Sequence, residues 1–181
     1  VMPYYNKPTQ EGMYRHYMAV ADAVDIPQII YNIPGRSVVN MSVETMARLA
    51  THANIEGVKD ATADLTVPTL TRRACGEDFT QLSGEDGTSI GFFAQGGHGC
   101  ISVTANIAPR MCAEFFAAWK AGDAARALDL HVALMPLHDG LFVESNPMPV
   151  KYAMSLMGKC SDEMRLPLCS PSGANAAGIK S

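Results

Sequence analysis

The sequence predicts an α/β fold built on a parallel sheet, and three observations carry that reading. Short apolar runs ending at Asn32, Lys59, Ser83 and Val103 are separated by segments of helical length. The loops between them are short, as in right-handed βαβ units. After Val103 the alternation stops, and helical patterns follow one another with no strand between them.

The elements follow in order. Val1-Met2-Pro3-Tyr4 reads as the end of a strand. Tyr14, Tyr17, Met18 and Ala21 recur at helical spacing and predict a helix from about Gln10 to Val24, which Asp25-Ile26-Pro27 ends. Gln28 to Asn32 is predicted as a strand. Ser42 is a good N-cap for a helix whose apolar stripe is Val43, Met46, Ala47, Leu49 and Ala50. Ile55 to Lys59 is the next strand. Asp64 to Cys75 reads as a helix with Pro68 in its first turn, where proline is tolerated. Phe79 to Ser83 is a strand, Thr88 to Gln95 a short helix, and Gly99 to Val103 a strand. Pro109 to Lys120, Ala124 to His138 and Met148 to Met157 read as helices. Leu166 to Ser181, rich in Pro, Ser, Gly and Ala, is expected to be a loop or frayed tail. Four to five strands suffice for an open sheet but leave a (β/α)₈ barrel without its first half, and composition does not choose between them.

Composition narrows the function. The chain has 181 residues, 48% of them hydrophobic and 18% charged, as in a globular domain. A net charge of −4 without a basic cluster argues against nucleic acid and anionic membrane surfaces. No apolar run reaches the length of a membrane span, and no secretory signal is visible. The five cysteines, none in a CxxC pair, read as reduced thiols in a cytosolic protein. The histidines show no metal-binding spacing. Gly96-Gly97-His98-Gly99 lacks the lysine of a phosphate loop and reads as a tight helix-to-strand turn.

Two side chains stand out. Tyr31 and Lys59 end neighbouring predicted strands, so they should emerge side by side at the carboxyl ends, where α/β folds do their chemistry. A lysine packed against apolar residues can lose its proton and attack a ketone. Taken alone, a strand-end lysine is more simply a solvated one.

The surrounding residues add a resemblance. Tyr31-Asn32-Ile33-Pro34-Gly35-Arg36 followed by Gly57-Val58-Lys59-Asp60-Ala61-Thr62 resembles the dihydrodipicolinate synthase (4-hydroxy-tetrahydrodipicolinate synthase) family. Pro3-Tyr4-Tyr5-Asn6-Lys7-Pro8, Ser83-Gly84-Glu85-Asp86 and Gly99-Cys100-Ile101-Ser102-Val103 match it in the same order. The similarity covers essentially the whole chain. The YNxP and GxK pieces are shared with sister aldolases such as N-acetylneuraminate lyase.

The resemblance implies a (β/α)₈ TIM barrel of which the chain holds only the second half, from the end of strand 4 to strand 8, plus C-terminal helices. Residues 1–108 would be the half-barrel and 109–181 the helical region, together one structural unit. The family's Gly-Thr-Thr-Gly-Glu segment and its last helix do not occur here, and the chain starts at Val1, so truncation at both ends is expected.

Site residues follow by position. Lys59 matches the lysine that forms a Schiff base with pyruvate. Tyr31 matches the tyrosine that relays protons, and Tyr5 the one that enters a neighbouring subunit's site. Arg36 matches the arginine that grips the carboxylate of aspartate semialdehyde, a task suited to a two-pronged guanidinium. Ile101 matches a residue whose backbone touches pyruvate, its side chain being read as core. Gly84 lies where a missing Cβ permits close approach of a ligand. Tyr4 falls near the family's lysine-feedback site. Glu144-Ser145-Asn146-Pro147 resembles a loop that supports packing.

The implied activity is a lyase condensing pyruvate with aspartate semialdehyde to 4-hydroxy-tetrahydrodipicolinate, in lysine and diaminopimelate biosynthesis. No cofactor or metal is expected. A cytoplasmic homotetramer is implied, with small-molecule substrates as partners and neither nucleic acid nor membrane. Two alternatives stand beside it: another pyruvate-dependent aldolase, of neuraminate-lyase or keto-deoxy-sugar type, and an inactive half-barrel or interaction module.

Overall fold

Thr9 has an extended backbone, and its side chain accepts a hydrogen bond from the Gly12 N–H, which starts the first helix, α1 (Gln10–Ala23). Met13, Tyr17 and Ala21, one turn apart, form its buried face. Val24 is already extended, so the helix stops there and leads into β1 (Gln28–Asn32). The computed structural model describes residues 1–180.

A one-turn helix, α2 (Pro34–Ser37), follows β1. The Ser42 side chain caps α3 (Val43–Leu49) by accepting the Thr45 N–H, as the cap pattern predicts. Then come β2 (Ile55–Asp60), α4 (Val67–Cys75), β3 (Thr80–Ser83), α5 (Ser89–Ala94) and β4 (Gly99–Cys100). Helix α4 starts three residues later than expected, because Asp64 turns its carboxylate onto the Thr66 N–H at 2.9 Å and Thr66 Oγ1 at 2.7 Å. That local bonding competes with the helical backbone. Strand β4 has two residues instead of five; the chain leaves the ladder and forms a 3₁₀ turn at Thr104–Asn106.

The four strands are parallel and lie in sequence order, β1-β2-β3-β4, with Tyr31 beside Lys59, Lys59 beside Leu82 and Leu82 beside Gly99. Strands in sequence order with a helix after each of the first three are consistent with the second half of a (β/α)₈ barrel that the resemblance implies. The strand end expected at Val1–Tyr4 is reduced to one bond, from the Met2 N–H to the Tyr31 carbonyl at 3.3 Å. At Gly57 an added Cβ would lie 2.2 Å from the Thr80 carbonyl oxygen, so only glycine lets β2 and β3 pack as they do.

One side of the sheet is sealed. Ile30 and Val58 are buried there with Met13, Met46 and Leu49 of α1 and α3. The other side carries Ile29, Tyr31, Lys59, Thr80 and Leu82, of which Ile29 is 40% exposed and the rest half-buried.

The chain forms two compact units, the first being Val1–Ile101 and the second starting at Ser102. The second unit is helical: the Thr104–Asn106 turn, α6 (Pro109–Lys120), α7 (Ala124–Gly140), α8 (Met148–Leu156) and α9 (Gly173–Lys180). Gly122, at φ +78°, makes the turn from α6 to α7, and Asp123 caps α7 through the Arg126 N–H. Helix α9 corrects the expectation of a loop after Leu166. Its start is tied by Glu144, which accepts from the Ser172 N–H at 2.8 Å and the Asn175 amide at 2.7 Å.

Candidate active site

The period-2 alternation of a strand decides what faces the site. Tyr31 and Lys59 are register partners, so both side chains rise from the same, less covered face at the carboxyl ends of β1 and β2. The Lys59 Nζ lies 4.1 Å from the centre of the Tyr31 ring. On its other flank Lys59 meets Gly84, the first residue after β3. A Cβ added at Gly84 would lie 3.0 Å from Lys59 Cε and 2.9 Å from the Ala61 Cβ. The glycine is therefore what leaves room for the lysine arm.

The sheet ladder runs on past the assigned strands. The Ala61 N–H bonds the Asn32 carbonyl at 2.9 Å, the Gly84 N–H bonds the Asp60 carbonyl at 2.6 Å, and the Ile101 N–H bonds the Ser83 carbonyl at 2.9 Å. These bonds place Gly84 and the Ile101 backbone at the same end of the sheet as Lys59. Ile101 is 45% exposed, so its side chain is not core as expected.

The remaining candidates stand further out. Arg36 is exposed on α2, in the loop that leaves Tyr31. Its turn is closed by Val38 in the left-handed region, φ +65°, with the Val38 N–H on the Pro34 carbonyl. Tyr5 is 92% exposed, so among the described residues nothing fixes its phenol against Lys59. It borders an open hollow of about 400 Å³ with Tyr4, Met2 and His16. The structure thus brings together Tyr31, Lys59, Gly84 and the Ile101 backbone at one end of the sheet, while Arg36 and Tyr5 are exposed.

Sequence reasoning passed over the row directly behind these residues. Asn32, Asp60 and Ser83 are register neighbours, all buried, on the helix-covered face. Burial holds the Asp60 carboxyl above the usual carboxylate range, although the Thr62 N–H bonds it at 2.7 Å. Burial, and then the Asp86 charge, push the nearby Glu85 up as well. The available signal was a polar residue closing each of three apolar strands. Among the described residues, no three His, Cys, Asp or Glu side chains are grouped to hold a metal ion, and no helix is long and apolar enough to cross a membrane.

With this geometry in place, the comparisons with known proteins are specific. The Dihydrodipicolinate synthetase family matches residues 1–177. A 4-hydroxy-tetrahydrodipicolinate synthase of Bradyrhizobium diazoefficiens is 64% identical over 168 residues, 93% of this chain and 57% of that protein. The solved dihydrodipicolinate synthase of Aquifex aeolicus superposes with a TM-score of 0.97 at 43% identity, over 99% of this chain and 61% of its own. The chloride-inhibited dihydrodipicolinate synthase of Acinetobacter baumannii, complexed with pyruvate, gives 0.94 at 44% identity, over 98% and 61%. The chain therefore spans about three-fifths of the length of the proteins it matches.

Proposed function

The chain belongs to the dihydrodipicolinate synthetase family, and from that premise we propose that it carries the imine-forming half of a 4-hydroxy-tetrahydrodipicolinate synthase. In this reading the neutral Lys59 amine adds to the ketone carbon of pyruvate and water leaves, giving an imine. Loss of a methyl proton yields an enamine, with the imine nitrogen taking up the electron pair. The enamine carbon attacks the aldehyde of aspartate semialdehyde, whose oxygen takes a proton. The substrate's own amine then replaces Lys59 at the imine carbon, closing the ring and freeing the lysine.

Tyr31 moves protons in this scheme, Arg36 holds the second substrate's carboxylate, and Gly84 with the Ile101 backbone borders the pyruvate. Tyr5 completes the relay from a neighbouring subunit of a homotetramer; its 92% exposure leaves it available for that. No metal or organic cofactor enters, because the imine is the electron sink. The setting is lysine and diaminopimelate biosynthesis in the cytoplasm.

One observation carries the reading: the Lys59 amine sits 4.1 Å from the Tyr31 ring centre at the carboxyl end of a parallel sheet. The test is proton exchange. Enamine formation exchanges the pyruvate methyl protons with D₂O, which proton NMR follows directly. Exchange by the chain, or by a barrel completed with a first half from a relative, should vanish in Lys59→Arg. Exchange that survives Lys59→Arg contradicts the reading. Consumption of aspartate semialdehyde, but not of keto-sugar acceptors, separates the synthase from its sister aldolases.

A second reading is favoured by the uncovered sheet face, where Ile29 is 40% exposed. There the chain is an inactive half that works only when a complementary half covers Tyr31 and Lys59. Methyl-proton exchange by the completed barrel and none by the chain alone is the outcome that reading requires.

A further inference from the structure

The row behind the site does something the site residues do not. Asn32 accepts the Met41 N–H on Oδ1 at 3.3 Å and donates Nδ2–H to Asn40 Oδ1 at 2.8 Å. Asp60 accepts the Thr62 N–H at 2.7 Å. Ser83 Oγ accepts the Glu85 N–H at 3.1 Å and donates to the Glu85 carbonyl at 2.9 Å. Each side chain grips the loop that follows its own strand. Each backbone carbonyl accepts an N–H from the next strand's end: Ala61, Gly84 and Ile101 in turn. All three residues are buried, at 3%, 6% and 1% exposure.

We propose that Asn32, Asp60 and Ser83 are positioning residues, one per strand, each setting the loop that carries or borders a neighbouring site residue. Asn32 spans the loop that contains Arg36. Asp60 sets the Ala61–Thr62 turn and, through its carbonyl, Gly84, whose missing Cβ leaves room for Lys59 Cε. Ser83 fixes the turn that begins at Gly84. The row faces away from the substrate side, so it acts through the placement of others. Its catalytic meaning rests on the imine reading; its geometric meaning does not.

Side-chain reactivity separates placement from general stability. Reductive methylation of Lys59, with exposed Lys120 as internal reference, and phenylglyoxal modification of Arg36, with Arg126 as reference, are mapped by peptide mass. In Asp60→Ala and Ser83→Ala the Lys59 rate should change by about tenfold, the scale of a small misplacement, while the Arg36 rate stays put. In Asn32→Ala the pattern should reverse. Asp60→Asn, which keeps an acceptor for the Thr62 N–H, should restore the Lys59 rate.

Variants that change only the melting temperature, or that shift both rates together, overturn the proposal. Should one variant fail to fold, the other two carry the same comparison. Failure of the imine reading is distinguishable: the wild-type chain completed with a first half would then give no borohydride-stable pyruvate adduct, while the split reactivity pattern persisted.

Discussion

Tyr17 shows what a single buried group does here. It is 6% exposed, and among the described residues its hydroxyl meets no hydrogen-bond partner. Burial pushes the phenol up to about 12. The fold therefore holds the neutral form more firmly than the unfolded chain does. The stability this contributes is fully present below about pH 10, the ordinary phenol value, and is lost as pH rises towards the raised one. Tyr17→Phe removes an unsatisfied polar group and should gain about 1 kcal/mol at neutral pH in urea unfolding, with a shallower loss between about pH 10 and 12. A less stable variant would show that the hydroxyl is satisfied in solution. Tyr31 and Lys59 were readable from sequence because strand period and register place them without reference to anything distant. The role of Asp60 was not, since it depends on where Thr62 and Gly84 come to lie, and a lone acidic residue at a strand end signals neither.

Elements differ in how far their limits are written locally. Helix α1 was predictable because Tyr14, Tyr17, Met18 and Ala21 recur at helical spacing, and α3 because Ser42 caps it from an adjacent position. Helix α9 was not: it buries no residue, contains Gly173 and Gly178, and is anchored by Glu144, 28 positions before Ser172. Glu144→Ala should therefore speed amide exchange across Gly173–Lys180 while leaving α6 and α7 protected. Unchanged exchange in α9 would mean that the anchor is dispensable. The β2–β3 pairing makes the opposite case, of an element fixed by one absent atom. Gly57→Ala would set a Cβ 2.2 Å from a backbone oxygen in the middle of the sheet. Backbone must move, and the loss should be about 3 kcal/mol or more by chemical unfolding. A loss well under about 1 kcal/mol would show that the strands separate freely there.

At the scale of the molecule, the parallel topology was legible because strand and helix periods alternate so regularly. A half-barrel, as opposed to a complete open sheet, was legible only through the resemblance, since four parallel strands satisfy both descriptions. The fold bears on function through the uneven cover of its sheet. One face is sealed, and the other displays Ile29, Tyr31 and Lys59 with partial cover. Such a face favours association, so the chain alone should elute larger than a monomer in size-exclusion chromatography, and a first half supplied in trans should shift it to a defined complex. Elution as a stable monomer in both cases would show that the face needs no cover. The measurement that bears most directly on Lys59 as the nucleophile is borohydride trapping with pyruvate, followed by peptide mapping, on the chain and on the completed barrel. A single reduced pyruvyl adduct on the Lys59 peptide, absent from Lys59→Ala, is the expected result. An adduct on another lysine, or none on the completed barrel, would contradict it.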